Sequence, residues 1–371
     1  MKLTAKVKLQ PTPEQHQALL DTLERANAAC NVISDVAWEN ETFSQVGIHK
    51  LYYYDIREQF ELSAQVTVRC IGKVVQAYRL DKKTRRTFAP QGAIAYDNRI
   101  LSWYPDRQSV SIWTLNGREH MPFQAGERQL ELLHTQQGES DLGYMDGEFY
   151  LFATCEIETP EPTDVEGVLG VDLGVANIAS DCDGEQYAGG HLRNLRRRNH
   201  RLRKRLQSKG TKSAKRLLKK RRRKESRFGH DVNHVISKQL VLKAKRTNRA
   251  IVLEDLKGIR SRIRARKPQR RELHSWSFHD LGQKILYKAE WHGVPVVFVD
   301  PAYTSQTCSV CGWIDKKSRR DQATFHCVHC GALLHADTNA AVVIGRRAEV
   351  NLPHAGDKML KAGSASNCNI V

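Results

Sequence analysis

Three carboxylates and four thiols carry the chemistry available to this chain. Gly167-Val-Leu-Gly-Val-Asp172 is an apolar run of strand length ending in one acid, and Ile251-Val-Leu-Glu254 repeats that form. In His335-Ala-Asp337-Thr-Asn-Ala-Ala341 a third acid opens an apolar helix. Hard oxygen ligands at the tips of rigid elements suit divalent cations. A cluster of them can hold two ions about 3.5–4 Å apart, one to generate hydroxide and one to stabilise a leaving oxygen. Magnesium is the natural ion for such ligands. Each acid also has a plainer role open to it. Asp172 can close a turn, Glu254 has Asp255 beside it, and Asp337 can cap a helix that starts with Asn339-Ala-Ala-Val-Val-Ile344. The joint arrangement favours Asp172, Glu254 and Asp337 as metal ligands and catalytic acids.

The thiols are Cys308, Cys311, Cys327 and Cys330, spaced C-x2-C-x15-C-x2-C. Two knuckles of this kind present four thiolates to one tetrahedral zinc ion and leave no position for water, so the ion is structural. Gly312 and Gly331 follow the second cysteine of each pair, where the chain must turn tightly. His326, His329 and His335 lie near enough in sequence to be alternative ligands. The other five of the nine cysteines are scattered, which is metal usage in a reducing compartment and not a disulfide framework. No G-x-S-x-G or P-loop pattern offers a different nucleophile or phosphate cradle.

Net charge is +18, which points to a polyanionic partner. Residues 191–224 hold 18 Lys or Arg and no acid, with leucines interleaved. Arg196, Arg197, Arg198, Arg201, Arg203, Lys204, Arg205, Lys219, Lys220, Arg221, Arg222 and Arg223 are the expected nucleic-acid contacts. They would sit on basic helices within 191–245, and even a disordered arm of this charge would bind phosphates by counterion release. A second basic run, 257–271, reads as a mobile loop beyond Glu254. No apolar stretch is long enough to span a bilayer, and the first residues lack a signal-peptide core, so the expected location is the cytoplasm.

The elements that would position these groups can be read in order. Residues 2–10 alternate apolar and polar as a strand. Thr12, Pro13 and Gln15 form a helix start with a capping box. A second helix is expected over 63–80, with Ala64, Val68, Ile71, Val75 and Tyr78 on one face. From 90 to 157 short strands alternate with the turn pairs Asp97-Asn98, Asn116-Gly117 and Asp146-Gly147, which suggests a small antiparallel barrel joined by strand 2–10. Thr159-Pro-Glu-Pro-Thr163 reads as a linker. Beyond it come strand 167–172, the hairpin 177–187, a helix around 232–242, strand 250–254, a helix over 280–291 and strand 294–299. That opening, three antiparallel strands with an acid on the first, is ribonuclease H-like.

Taken together, Gly-Val-Asp-Leu-Gly, the basic helices, Leu253-Glu-Asp-Leu256, Ser305-Gln-Thr-Cys, both Cys-x-x-Cys-Gly knuckles and His-x-Asp-x-Asn-Ala-Ala resemble the TnpB (OrfB) proteins of bacterial insertion sequences. These are RNA-guided nucleases related to type V CRISPR effectors. The resemblance implies a multidomain α+β and α/β fold. A wedge β-barrel would occupy 1–10 and 88–160, with a helical recognition unit inserted at 11–87. A RuvC-like nuclease domain would span 166–300 and 336–350, interrupted by a zinc ribbon at 301–335, and 351–371 would form a flexible tail. It implies a magnesium-dependent DNA endonuclease in which Asp172, Glu254 and Asp337 hold two ions. Its partners would be a guide RNA from the transposon end and target double-stranded DNA beside a short motif, with no membrane, and the monomer is favoured. A protein that holds an RNA–DNA hybrid by its backbone needs this much basic surface. The alternatives are a guided DNA-binding regulator without cleavage and a ribonuclease H-like strand-transfer transposase.

Overall fold

A computed structural model describes residues 1–221, 223–256 and 278–349. The expected basic loop at 257–271, Arg222 and the tail at 351–371 lie outside the described residues. The chain divides into two compact units, Met1–Glu158 and Thr159–Val371. Among the described residues no helix is long and apolar enough to cross a membrane.

In the first unit, β1 (Lys2–Leu9) is followed by three helices, α1 (Pro13–Glu39), α2 (Gln45–Phe60) and α3 (Ala64–Leu80). Six more strands follow: β2 (Ile94–Tyr96), β3 (Leu101–Tyr104), β4 (Ser109–Thr114), β5 (Gly117–Gln124), β6 (Gln136–Met145) and β7 (Glu148–Glu156), with a short helix α4 (Glu127–Leu133) before β6. They form one seven-stranded sheet ordered β2-β6-β7-β1-β5-β4-β3. The alternation of β1 buries Ala5, Val7 and Leu9. The Thr12–Gln15 capping box forms, the Thr12 hydroxyl accepting from the Gln15 N–H at 3.3 Å. Asn116-Gly117 and Asp146-Gly147 close the β4–β5 and β6–β7 hairpins, Asp146 and Gly147 both in the left-handed region.

Three features differ from expectation. The Asp97-Asn98 turn does not close a hairpin. The strands flanking it, β2 and β3, are the two edges of the sheet. Because these edges are consecutive in the chain, the turn brings the sheet close to closing on itself. The buried stripe of α3 is Val66, Thr67, Cys70, Ile71, Val74, Val75 and Tyr78, while Ala64 is exposed and Val68 half-buried. Ile71, Val75 and Tyr78 lie on the expected face, which continues through Val66, Thr67, Cys70 and Val74 in place of Ala64 and Val68. Helix α2 carries no periodic signal in the sequence: only Ile48, Tyr53 and Ile56 are buried along it, too sparse a stripe to read. A polar spine on α1 fixes the segment that follows α3. The buried Asn27 amide donates to the carbonyls of Pro90 (3.0 Å) and Gly92 (2.8 Å) and its oxygen accepts from Lys73 Nζ at 2.6 Å. Asn31 and Phe88 exchange two hydrogen bonds one turn further on.

The second unit is built on a five-stranded mixed sheet. Its strands are β8 (Gly167–Asp172), β9 (Asn177–Asp181), β10 (Gln186–Ala188), β11 (Arg249–Glu254) and β12 (Val296–Val299), ordered β10-β9-β8-β11-β12. β8, β11 and β12 are parallel; β9 and β10 are antiparallel additions. Between β10 and β11 run α5 (Gly190–Lys209), α6 (Lys212–Arg221) and α7 (Lys224–Arg246). α8 (Phe278–His292) precedes β12, and α9 (Ala336–Glu349) ends the described chain. Strand alternation sorts the two faces. Leu169, Val171, Ile251 and Leu253 pack with Ile236 and Leu240 of α7 and Leu281 and Ile285 of α8. Val168, Val252, Val297 and Val299 pack on the other face with Ile344 and Ala348 of α9. Between β12 and α9 stands a small cysteine-bearing excursion with one hairpin, β13 (Thr324–His326) and β14 (Leu333–His335).

Candidate metal sites

The same alternation decides where the acids go. Asp172 shares parity with Val168 and Gly170, and Glu254 with Val252, so both project toward the α9 face. Parallel pairing runs from Arg249↔Gly167 to Leu253↔Val171, and the next register position sets Glu254 beside Asp172. Asp337 lies in the first turn of α9 and is buried. Helix and strand approach closely because both contact residues are glycines. A Cβ on Gly170 would lie 2.1 Å from the Ala341 carbonyl oxygen and 2.6 Å from the Gly345 nitrogen. The structure therefore sets all three acids at one end of the sheet, near enough for the charges of Glu254 and Asp337 to act on Asp172.

Their electrostatics agree with that geometry. Burial, reinforced by the neighbouring charges of Glu254 and Asp337, pushes Asp172 up to about 7, against the opposing pull of Arg319 and the Leu173 N–H. Burial also raises Glu254, which the Thr304 hydroxyl and Arg347 partly offset. Thr304 Oγ1 donates to Glu254 Oε1. Asp337 is gripped at both oxygens: Asn177 Nδ2 donates to Oδ2 at 2.9 Å and Arg319 donates to Oδ1 at 3.2 Å. Burial holds Asp172 and Glu254 above the ordinary carboxylate range, and a cation beside them would relieve that cost, so this set of hard oxygen donors suits divalent ions. Asp255, the rival of Glu254, donates its N–H to the Val299 carbonyl and continues the sheet.

Cys308, Cys311, Cys327 and Cys330 bring their sulfurs within 4.8 Å of one another, the one such cluster of potential metal ligands among the described residues. Cys308 and Cys330 are 3.8 Å apart and Cys311 and Cys327 are 3.6 Å apart. A tetrahedron with Zn–S bonds of about 2.3 Å has sulfurs about 3.8 Å apart, so the site fits zinc. Both knuckles share one construction. The N–H of Gly312 returns to the Cys308 carbonyl (2.9 Å) and that of Gly331 to the Cys327 carbonyl (3.0 Å), each glycine at φ 75°. The Cys330 N–H, aided by that of His329, pulls the Cys327 thiol down to about 6. His329 stacks on Trp313 at 4.8 Å, and the Nδ1 of His335 faces Gln186.

Of the expected phosphate contacts, Arg197, Arg198, Arg201, Lys204 and Arg205 are exposed on α5, and Lys219, Lys220 and Arg221 on α6. Arg223 precedes α7 in a left-handed conformation. Arg203 is exposed but paired with Glu225 at 3.2 Å. Arg196 is half-buried facing the same carboxylate at 3.9 Å.

Four site residues were not singled out from the sequence: Asn177, Thr304, Arg319 and Asn339. The side chain of Asn339 accepts from the Ser309 N–H and donates to the Thr307 carbonyl, both at 2.8 Å, tying the first knuckle to α9. Asn339 lies within the quoted Asp-x-Asn-Ala-Ala stretch, so its signal was present. The other three act across 18 to 160 residues of chain, where no local pattern marks them.

Two family models match the chain from residue 152 onward. One is described as a probable transposase (residues 152–258), the other as a Cas12f1-like TNB domain (residues 278–344). A CRISPR-associated endodeoxyribonuclease Cas12f1 of Sulfoacidibacillus thermotolerans is 37% identical over 195 residues, 48% of this chain and 45% of that protein. The putative RNA-guided DNA endonuclease InsQ of Escherichia coli is 30% identical over 214 residues, 53% of this chain and 52% of that one. The chain thus spans about half the length of these relatives. Among solved structures, the mini-RNA-guided endonuclease CRISPR-Cas_phi3 superposes with a TM-score of 0.56 at 11% identity, covering 94% of this chain and 92% of the other, which shows a shared fold. The TnpB-like protein MJ0751 of Methanocaldococcus jannaschii is 30% identical over 201 residues, 51% of this chain and 71% of that protein. On that relationship, the chain belongs to the TnpB-like family.

Proposed function

We propose that the chain is an RNA-guided, magnesium-dependent DNA endonuclease encoded by a transposable element, cutting beside a short adjacent motif. The observation that carries the reading is the gathering of Asp172, Glu254 and Asp337 where strand ends meet a helix start, with Asp172 pushed up to about 7. The names of the Cas12f1 and InsQ relatives support the general kind of activity.

In this reading the three acids hold two magnesium ions, which would supply hydroxide at neutral pH and stabilise the leaving oxygen. The protein's own part is positioning. Thr304 orients Glu254, while Asn177 and Arg319 orient Asp337. The zinc ribbon supplies Arg319 and is folded by its four thiolates, taking no part in hydrolysis. Exposed cations on α5 and α6 contact the guide and target backbones. The first unit would serve as wedge and recognition element, in a monomeric cytoplasmic protein.

A second reading, strand transfer by a transposase, is favoured by the description of the model that matches residues 152–258. One experiment separates the two. The protein is expressed beside its native flanking DNA and copurifying RNA is sequenced, then programmed cleavage of duplex DNA is assayed with and without Asp172→Ala. A discrete RNA ending in variable flanking sequence, with cutting that follows it and is lost in the variant, is expected. Heterogeneous RNA, or cutting that survives Asp172→Ala, would reject the proposal.

A further inference from the structure

We infer that Asn177 is a positioning residue for the third carboxylate, and that with Gln186 and His335 it forms an uncharged relay fixing the plane of Asp337. The inference rests on the three-acid reading of the preceding section.

Asn177 is the first residue of β9, on the strand beside β8. Its Nδ2 carries two hydrogens. One points to Asp337 Oδ2 at 2.9 Å and the other reaches Gln186 Oε1 at 3.5 Å. The Gln186 amide nitrogen then stands 3.0 Å from His335 Nδ1. An amide N–H can only donate, so His335 Nδ1 is the acceptor and a neutral ring carries its proton on Nε2. Each amide in the relay is thereby fixed in orientation. The links come from three separate elements: β9, β10 and the end of β14, which leads into α9.

A neutral donor has a specific advantage here. Asp337 already accepts from the Arg319 guanidinium on Oδ1. The Arg319 guanidinium already balances the single charge of Asp337, so a second cation at Oδ2 would leave a net positive charge and repel a divalent ion. An amide N–H removes the rotational freedom of the carboxylate while adding no charge, and each carboxylate oxygen keeps a lone pair for the ion. Hydrogen-bond partners of metal ligands act in this way, and their loss typically lowers metal affinity or activity by about 10–100-fold.

The test uses the full chain and reads metal binding apart from activity. Manganese binding is measured by titration calorimetry without nucleic acid, and the magnesium dependence of cleavage is measured in parallel. Asn177→Ala is expected to weaken manganese binding by at least about tenfold and to raise the magnesium needed for half-maximal cleavage similarly, leaving the rate at saturating magnesium within a few-fold. Asn177→Asp keeps the shape but sets a fourth acid against Asp337. Its metal-free Tm should fall, and manganese should raise that Tm by more than in the parent. Gln186 is exposed, so Gln186→Ala does not threaten folding; it should weaken binding several-fold and decides the matter if the Asn177 variants do not fold. Parental binding in both Asn177→Ala and Gln186→Ala overturns the inference while Asp337→Asn still abolishes binding. If Asp337→Asn also binds normally, the three-acid site itself has failed and the relay falls with it.

Discussion

Gly170 of β8 and Gly345 of α9 face one another with no side chain between them, and the contact is one-sided. A methyl group on Gly170 would sit 2.1 Å from the Ala341 carbonyl, whereas one on Gly345 would meet its nearest neighbour, Val168 Cγ2, at 3.4 Å. The first approach is to backbone, which cannot swing aside. Asp172 and Asp337 lie just beyond this contact, so the separation of two backbones sets the separation of two acids.

Gly170→Ala should therefore cost at least about 3 kcal/mol, at the upper end for overpacking. Gly345→Ala should lie within about 1 kcal/mol of neutral, because alanine's helix preference offsets a slightly tight fit. Denaturant unfolding of the two variants checks this. Equal effects would show that the close approach is misplaced.

The pH dependence of the metal-free protein has a defined sign. Asp172 titrates near 7 in the native state against an ordinary value of about 3.9. Between those limits the native state binds more protons than the unfolded chain, so this residue's contribution to stability falls as pH rises from about 4 to about 7, and is level above that. A divalent ion binds the charged form, so stabilisation by added magnesium should grow over the same interval. Tm against pH, with and without magnesium, should show the two curves diverging, and Asp172→Asn should reduce that divergence, leaving the part due to Glu254. Parallel curves in the parent protein would remove the case for a metal-binding Asp172.

Replacing Cys327 by serine should abolish zinc binding, one ion per chain falling to none by elemental analysis. Because Arg319 and His335 belong to the same small excursion, its unfolding should also release both partners from the acid site. A variant that keeps full zinc would show that another residue completes the tetrahedron.

In the first unit, Asn27→Leu should destabilise by about 2–4 kcal/mol. It leaves the Pro90 and Gly92 carbonyls and Lys73 without the partner they share. Chemical unfolding of the full protein reads the loss. An unchanged midpoint would mean that solvent replaces Asn27 at no cost.

Where the causes are local, the sequence was legible. The Thr12–Gln15 box, the two glycine-bearing hairpins and the cysteine knuckles each need only a few neighbouring residues. The three acids were visible as apolar runs ending in a charge, though their meeting depends on strand parity and on Gly170. Causes at a distance were hidden. Asp97-Asn98 has the composition of a hairpin turn, but it joins opposite edges of the sheet, and only the pairing of β2 with β6 and of β3 with β4 reveals that. On α3 the C-terminal part of the stripe, Ile71, Val75 and Tyr78, is legible, whereas the first turn buries Val66 and Thr67 in place of Ala64 and Val68. Asn177 and Arg319 have no signature at all until Asp337 is placed between them.

The order of the chain gives the Gly170–Gly345 contact one more consequence. β8 follows the whole first unit, and α9 begins more than 160 residues later still. Synthesis runs from the N-terminus, and domains fold as they become available. On the ribosome, a growing polypeptide already displays its cationic helices while its acids still lack their third member. Under the proposed function, nucleic acid would be engaged before α9 is made, whereas the acid cluster closes only once that helix has emerged.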